Sequence, residues 1–207
     1  MARAYSVNDV LTKKIECLDF DGVWYDVFDK PEATGVWFVW GDSGNGKTSF
    51  VVQLAKYLTK FSKVVYNSLE EGLSKSMQNA FKRFNMAEVR SKILLLSEGM
   101  EELCARLDKP RAAKIVIVDS IQYAQMTKKQ FYEFIQKYSS RYLIIFISQA
   151  EGNKPDGAAA RTAMFAASLK IFVEGYRAFS KGRYFGTKPF YTIYTEKAAE
   201  YWLDGQL

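Results

Sequence analysis

"VWFVW" at residues 36–40 runs straight into "GDSGNGKT" at residues 41–48, and this junction decides the fold. The octet satisfies G-x-x-x-x-G-K-[ST], follows an apolar run of strand length and opens a stretch of helical rhythm, which is the context of a P-loop. Gly44, Asn45 and Gly46 let successive backbone N–H groups curl around a β-phosphate, and the helix start adds its partial positive charge. Lys47 then reaches the β- and γ-phosphates, while the Thr48 hydroxyl is placed to ligate magnesium. The expected cofactors are ATP and Mg2+, with Gly41, Asp42, Ser43, Gly44, Asn45, Gly46, Lys47, Thr48 and Ser49 around the nucleotide.

Outward from the junction, short apolar runs alternate with longer amphipathic ones. Strands are predicted over residues 36–40, 63–67, 93–96, 114–118 and 142–147, and helices over about 47–61, 73–85, 100–107 and 128–139. Continuous apolar strands separated by helices imply an α/β fold of three layers, with a mostly parallel central sheet covered on both faces. After Ala150 the texture changes to a polar loop rich in Gly and Ala, then to short aromatic runs, "LKIFVEG", "FYTIYT" and "EYWL". These read as antiparallel C-terminal edge strands. Residues 1–207 read as one domain: 1–34 packing on the core, 35–150 the P-loop core, and 151–207 a loop with C-terminal strands.

Composition removes whole classes of chemistry. The 207 residues include no histidine, which excludes Ser-His-Asp and Cys-His catalysis and nearly every catalytic zinc site. The two cysteines, Cys17 and Cys104, are too few and too far apart for a disulfide framework or a four-cysteine zinc site, so a reducing, cytoplasmic setting is expected. Apolar runs reach only strand length, so no membrane partner is expected. A net charge of +6 favours an anionic partner such as nucleic acid.

Three further segments supply chemistry beside the P-loop. "KIVIVDSIQ" ends an apolar strand in Asp119, at the edge where open α/β sheets bind ligands, and Asp119 joins Thr48 as a magnesium anchor. "KVVYNSLEEG" ends another strand in Glu70 and Glu71, one of which orients and deprotonates the attacking water. "YLIIFISQA" ends in Ser148 and Gln149, and a glutamine there hydrogen-bonds the γ-phosphate and reports its loss to the following loop. Far downstream, "SKGRYFGT" sets Lys181 and Arg183 around Gly182. Residues two apart on a strand project from one face, and the glycine permits close approach.

Together these motifs resemble the RecA-like superfamily of P-loop ATPases, within it the RadA recombination proteins and, more distantly, DnaB-type helicases. "NSLEEG" resembles the motif whose first glutamate is the catalytic base, which selects Glu70. "IVIVDSIQ" is similar to the RadA Walker B segment, and "RTAMFAASLKIFVEG" to the RadA stretch that ends in a strand and Glu-Gly. "KGRYFG" resembles the Lys-Asn-Arg-Phe-Gly motif of RadA, with Gly182 in place of asparagine. The likeness covers roughly residues 35–186 and is to the RadA core alone, as in small RadA-like annealing ATPases of some bacterial viruses.

The resemblance implies that Lys181 and Arg183 act in trans, on nucleotide held by a neighbouring subunit, so that the working form is a homo-oligomeric ring or filament. It also implies single-stranded DNA bound by loops after two successive strands, through Tyr123, Lys128, Lys129, Lys154 and Arg161. A single-strand-binding protein is a further implied partner, and a phage-encoded protein acting in a bacterial cytoplasm the implied setting. The leading expectation is therefore a DNA-stimulated ATPase of recombination or annealing. A DnaB-like helicase and a nucleotide-gated scaffold for a protein partner are the alternatives.

Overall fold

Four of the five apolar runs become strands with both faces buried, whereas the edge run at 93–96 leaves Leu94 exposed. In the computed structural model, which describes residues 4–204, β1 (Gly35–Gly41), β2 (Val64–Ser68), β3 (Ile93–Leu96), β4 (Ile115–Asp119) and β5 (Leu143–Glu151) lie parallel. Residues 1–3 and 205–207 of the expected single domain lie outside the described residues. Helices α1 (Val7–Thr12) and α2 (Gly22–Phe28) precede the sheet. Helices α3 (Lys47–Leu58), α4 (Lys75–Arg83), α5 (Met100–Leu107) and α6 (Lys128–Tyr138) connect its strands. Side chains cap three of them: Ser74 accepts the Met77 N–H at the start of α4, Glu102 accepts the Gly99 N–H at the start of α5, and Thr127 forms a capping box with Gln130 at the start of α6.

Two cores lie on the two faces of this sheet. Trp37 and Val39 of β1 join Tyr66, Phe50 and Phe28 on one side, whereas Val36, Phe38 and Trp40 join Phe131 and Phe146 on the other. From the N-terminal segment, α2 buries Trp24, Val27 and Phe28 in the first core. Trp24 stacks on Tyr57 at 4.8 Å and on Tyr191 at 4.4 Å, so this segment packs against α3 and the tail rather than over the P-loop.

The tail departs from its sequence reading. The end of β5 folds into a short hairpin with β6 (Lys154–Pro155), and the supposed Gly- and Ala-rich loop then becomes α7 (Ala158–Ala166). Alanine is the strongest helix former, and Gly157, at φ 88, makes the turn into this helix. A helix there completes a strand-helix-strand crossover, so "LKIFVEG" returns as β7 (Leu169–Glu174), parallel to β1 instead of antiparallel at an edge. Only β8 (Arg177–Ser180) and β9 (Tyr191–Thr192) are antiparallel additions beyond it. "EYWL" is not a strand either, because it lies in α8 (Thr195–Asp204), where Thr-Glu-Lys-Ala-Ala-Glu supplies helix-forming residues ahead of the aromatics. Among the described residues the sheet runs β3-β2-β4-β5-β1-β7-β8-β9, with β6 paired to β5. The sheet is mostly parallel with antiparallel C-terminal edge strands, and it brings the C-terminal ends of β1, β2, β4 and β5 together on one edge.

Candidate nucleotide site

At that edge, the P-loop residues Ser43, Gly44, Gly46, Lys47, Thr48 and Ser49 line a cavity of about 340 Å3. Gly44 and Gly46 have φ of 79 and 95, conformations that favour glycine, and they turn the chain into α3. Lys47 is folded back, its ammonium donating to the carbonyls of Gly41 at 2.6 Å and Asp42 at 2.8 Å. Burial lowers its pKa, opposed by the charges of Asp119, Glu70 and Asp42. The loop is braced from the tail: the Asn45 carboxamide oxygen accepts the Gly175 N–H at 2.7 Å, and the Asn45 carbonyl accepts the Tyr176 N–H at 3.2 Å. Behind it, a Cβ on Gly41 would stand 2.1 Å from the Val173 carbonyl oxygen, so β1 and β7 approach too closely for any side chain there.

Across the cavity stand the carboxylates. Asp119 is 8% exposed at the end of β4, and its Oδ2 accepts the Tyr66 hydroxyl at 2.6 Å. Burial pushes its pKa up to about 6, Glu70 and Glu71 add to the rise, and the Tyr66 hydrogen bond and Lys47 oppose it. Burial and the same aspartate push the Tyr66 hydroxyl well above its ordinary value, so it remains a donor. The two glutamates are held differently. Glu70 accepts from the Gln149 side-chain amide at 3.2 Å, whereas Glu71 accepts from the Ser76 hydroxyl at 2.6 Å and the Ser74 hydroxyl at 3.3 Å, at the start of α4. Glu70 is thus the carboxylate joined to Gln149, and Glu71 the one tied to a helix start. An oxygen donor set of Thr48 and the charge-crowded Asp119 fits a hard divalent cation such as Mg2+.

The rest of the cavity is built by residues with no motif in the sequence. Tyr176 and Tyr194 meet edge to face at 6.1 Å, Lys197 lies 5.1 Å over Tyr176, and Arg83 lies 5.6 Å over Tyr194. The one local signal is "EGY", where Gly175 and Tyr176 both take positive φ, 50 and 58, at the tight turn between β7 and β8. Arg83, Tyr194 and Lys197 arrive from α4, from the end of β9 and from α8, so only the fold assembles them.

Lys181 and Arg183 do not line this cavity. They follow the last residue of β8, Ser180, so they are not on the strand proper, yet the antiparallel bonding continues through them. Lys181 N–H donates to the Lys170 carbonyl at 2.7 Å and Arg183 N–H to the Ser168 carbonyl at 3.0 Å. Between them, a Cβ on Gly182 would lie 2.7 Å from both the Lys170 nitrogen and the Ser168 oxygen. Both cationic side chains are exposed, with the Lys181 ammonium 5.8 Å over the Phe179 ring.

Of the remaining candidates, Tyr123 is 50% exposed in the turn after β4. Lys128 and Lys129 begin α6, the first 5.9 Å over the Tyr132 ring and the second 3.9 Å from Glu133. Lys154 is exposed on β6, and Arg161 is exposed on α7 rather than in a loop. The Gln122 side-chain amide joins the two segments, donating to the Ser148 hydroxyl and to the Asp156 carbonyl, both at 2.9 Å.

Sheet order, phosphate loop and edge carboxylates define a RecA-like P-loop fold. The chain is similar to a KaiC-like protein from the hyperthermophilic archaeon Pyrococcus horikoshii, with TM-score 0.62 and 14% identity over 82% of this chain and 89% of that one. It is also similar to the flagellar accessory protein FlaH from Methanocaldococcus jannaschii, with TM-score 0.60 and 13% identity over 82% and 88%. At such identities the likeness is one of fold. No family model matches the chain, and no curated protein matches it in sequence. No helix among the described residues is long and apolar enough to cross a membrane.

Proposed function

We propose that this protein hydrolyses ATP at the P-loop cavity and works as an oligomer on single-stranded DNA, in recombination or annealing of the RadA kind. The observation that carries the reading is the convergence of Lys47, buried Asp119 and the Gln149-bound Glu70 on one cavity. Lys47 leaves the Gly41 and Asp42 carbonyls to reach the β- and γ-phosphates. Thr48 and Asp119 would hold magnesium, which would supply charge neutralisation at the phosphate oxygens. Glu70 orients the attacking water and takes its proton, and Gln149 exchanges its bond to Glu70 for one to the γ-phosphate. Tyr176 and Tyr194, with Arg83 and Lys197, form the aromatic and cationic wall against which the nucleoside base rests.

Lys181 and Arg183 serve a neighbour's γ-phosphate. Support for that reading is their exposure and their separation from the cavity of their own chain. Tyr123, Lys128, Lys129, Lys154 and Arg161 contact DNA, the lysines neutralising phosphates and the tyrosine stacking on a base. Loss of the Gln149–Glu70 bond when γ-phosphate is present is then felt by the hairpin that continues β5. The test is ATP hydrolysis with and without an oligo-dT strand at low salt. Magnesium-dependent hydrolysis that rises several-fold with DNA is expected; hydrolysis indifferent to DNA, with no DNA bound at low salt, overturns the DNA role.

A further inference from the structure

At the edge of the sheet opposite the P-loop, a second cavity of about 430 Å3 opens between the N-terminal ends of β2 and β3 and the segment that follows α5. Its lining carries six cations, Lys63, Arg90, Lys92, Arg106, Lys109 and Arg111, and no carboxylate. Arg106 is paired with Glu98, and Lys92 donates to the Thr59 carbonyl at 3.1 Å. Lys63, Arg90, Lys109 and Arg111 are exposed and form no ion pair among the described residues. Attraction to the carbonyl end of α5 accounts for Arg106 and Lys109. It does not account for Lys63, Arg90, Lys92 and Arg111, which come from other elements.

Strand register aligns two of these cations, Lys63 and Lys92, with Lys114, which lies just outside the lining. Val64 is paired with Ile93 on one side and with Ile115 on the other, so the preceding residues Lys92, Lys63 and Lys114 stand side by side where three adjacent strands begin. At about 4.8 Å between strands, the row spans about 10 Å. Like charges in such a row repel one another, and no acid in the cavity lining offsets them. A ligand with anions repeated along a line relieves that repulsion; an isolated phosphate would meet only a few of these cations. We infer that this cleft binds the phosphodiester backbone of a nucleic-acid strand, independently of base sequence, at a site separate from the loops that bear Tyr123, Lys128 and Lys154.

The experiment follows fluorescent oligo-dT binding by anisotropy across a salt series. It uses the full chain, a Lys63→Gln/Arg90→Gln/Lys109→Gln variant and a Lys128→Gln/Lys129→Gln/Lys154→Gln variant. Loss of three phosphate contacts lowers the slope of log affinity against log salt by about 2 for a single strand, with at least a tenfold loss of affinity at low salt. The cleft variant shows that loss while keeping DNA-free ATP hydrolysis, and the loop variant retains a salt-dependent remainder. An unchanged slope in the cleft variant, or complete loss of binding in the loop variant, overturns the inference.

Vesicles of phosphatidylserine and phosphatidylcholine form a second arm. Vesicle binding lost in the cleft variant while oligo-dT binding is untouched assigns the cleft to anionic lipid and overturns the nucleic-acid reading. Photo-crosslinking of the unmutated protein to diazirine-bearing strands gives a readout that needs no substitution, with adducts expected at 90–92 and 109–114. Adducts confined to 120–130 and 151–161 count against it. Lys47→Ala, which removes nucleotide binding, leaves the salt slope measured without nucleotide unchanged, so failure of the ATPase reading is distinguishable from failure of this one.

Discussion

The P-loop cavity and the Lys181–Arg183 stretch carry the same kind of charged side chain in opposite conditions. In the cavity each charged group has a partner inside the chain: Lys47 holds two carbonyls, Asp119 accepts from Tyr66, and Glu70 accepts from Gln149. Along residues 181–183 the backbone is bonded to β7 and the side chains reach into solvent. The first region is assembled within one subunit and held back by its own contacts. The second is fixed in position by its backbone and offers its charges to solvent.

The sharpest way to break this contrast is Arg183→Ala. If Arg183 serves a neighbour's γ-phosphate as proposed, a factor of about 1,000 or more is lost, so hydrolysis should fall by that much while ATP binding, followed by fluorescent-nucleotide titration, stays within about twofold. Mixing Arg183→Ala subunits with Glu70→Ala subunits should restore part of the activity. No recovery at any ratio would place the arginine's action elsewhere.

Asp119→Asn tests the cavity side. The Asp119 pKa is raised in the folded protein to about 6 from an ordinary 3.8, so between those values the folded state binds more protons than the unfolded. The contribution of Asp119 to stability therefore falls as pH rises from about 4 to about 6 and is level above that, at a cost of up to about 3 kcal/mol. The asparagine variant should be more stable at pH 7.5 by a few kcal/mol, lack this slope and lose magnesium-dependent hydrolysis. Urea melts at pH 4.5 and 7.5 decide it, and a variant less stable than the parent at pH 7.5 refutes it.

The smallest effect expected is structural. Gly182→Ala forces a methyl group against the β7 backbone and should cost about 1–3 kcal/mol in thermal unfolding. Lys181→Ala beside it should stay within about 0.5 kcal/mol of the parent. Equal effects at the two positions would mean that the ladder does not extend past Ser180.

What was legible in the sequence follows from locality. Val36 to Trp40, Ile115 to Val118 and Leu143 to Ile147 are buried on both faces, and only a parallel sheet between two helical layers gives such unbroken apolar runs. The phosphate loop and the strand-end acids are likewise written in adjacent residues. The tail was misread because a short aromatic run has no period long enough to separate strand from helix. The parallel return of β7 further depends on α7, whose alanines give little periodic signal. Tyr66, Arg83, Tyr194 and Lys197 carry no motif, since each comes from a different element and acquires its place only when the sheet closes around the P-loop.

The brace between Asn45 and the Gly175–Tyr176 turn gives the domain a mechanical character. That turn is one end of the β7–β8 hairpin, and the other end is the bonded stretch that carries Lys181 and Arg183. Phosphate loop and cationic pair are therefore the two tips of a single stiff lever. Between the two tips the hydrogen-bonded pairing of β7 with β8 and residues 181–183 runs unbroken.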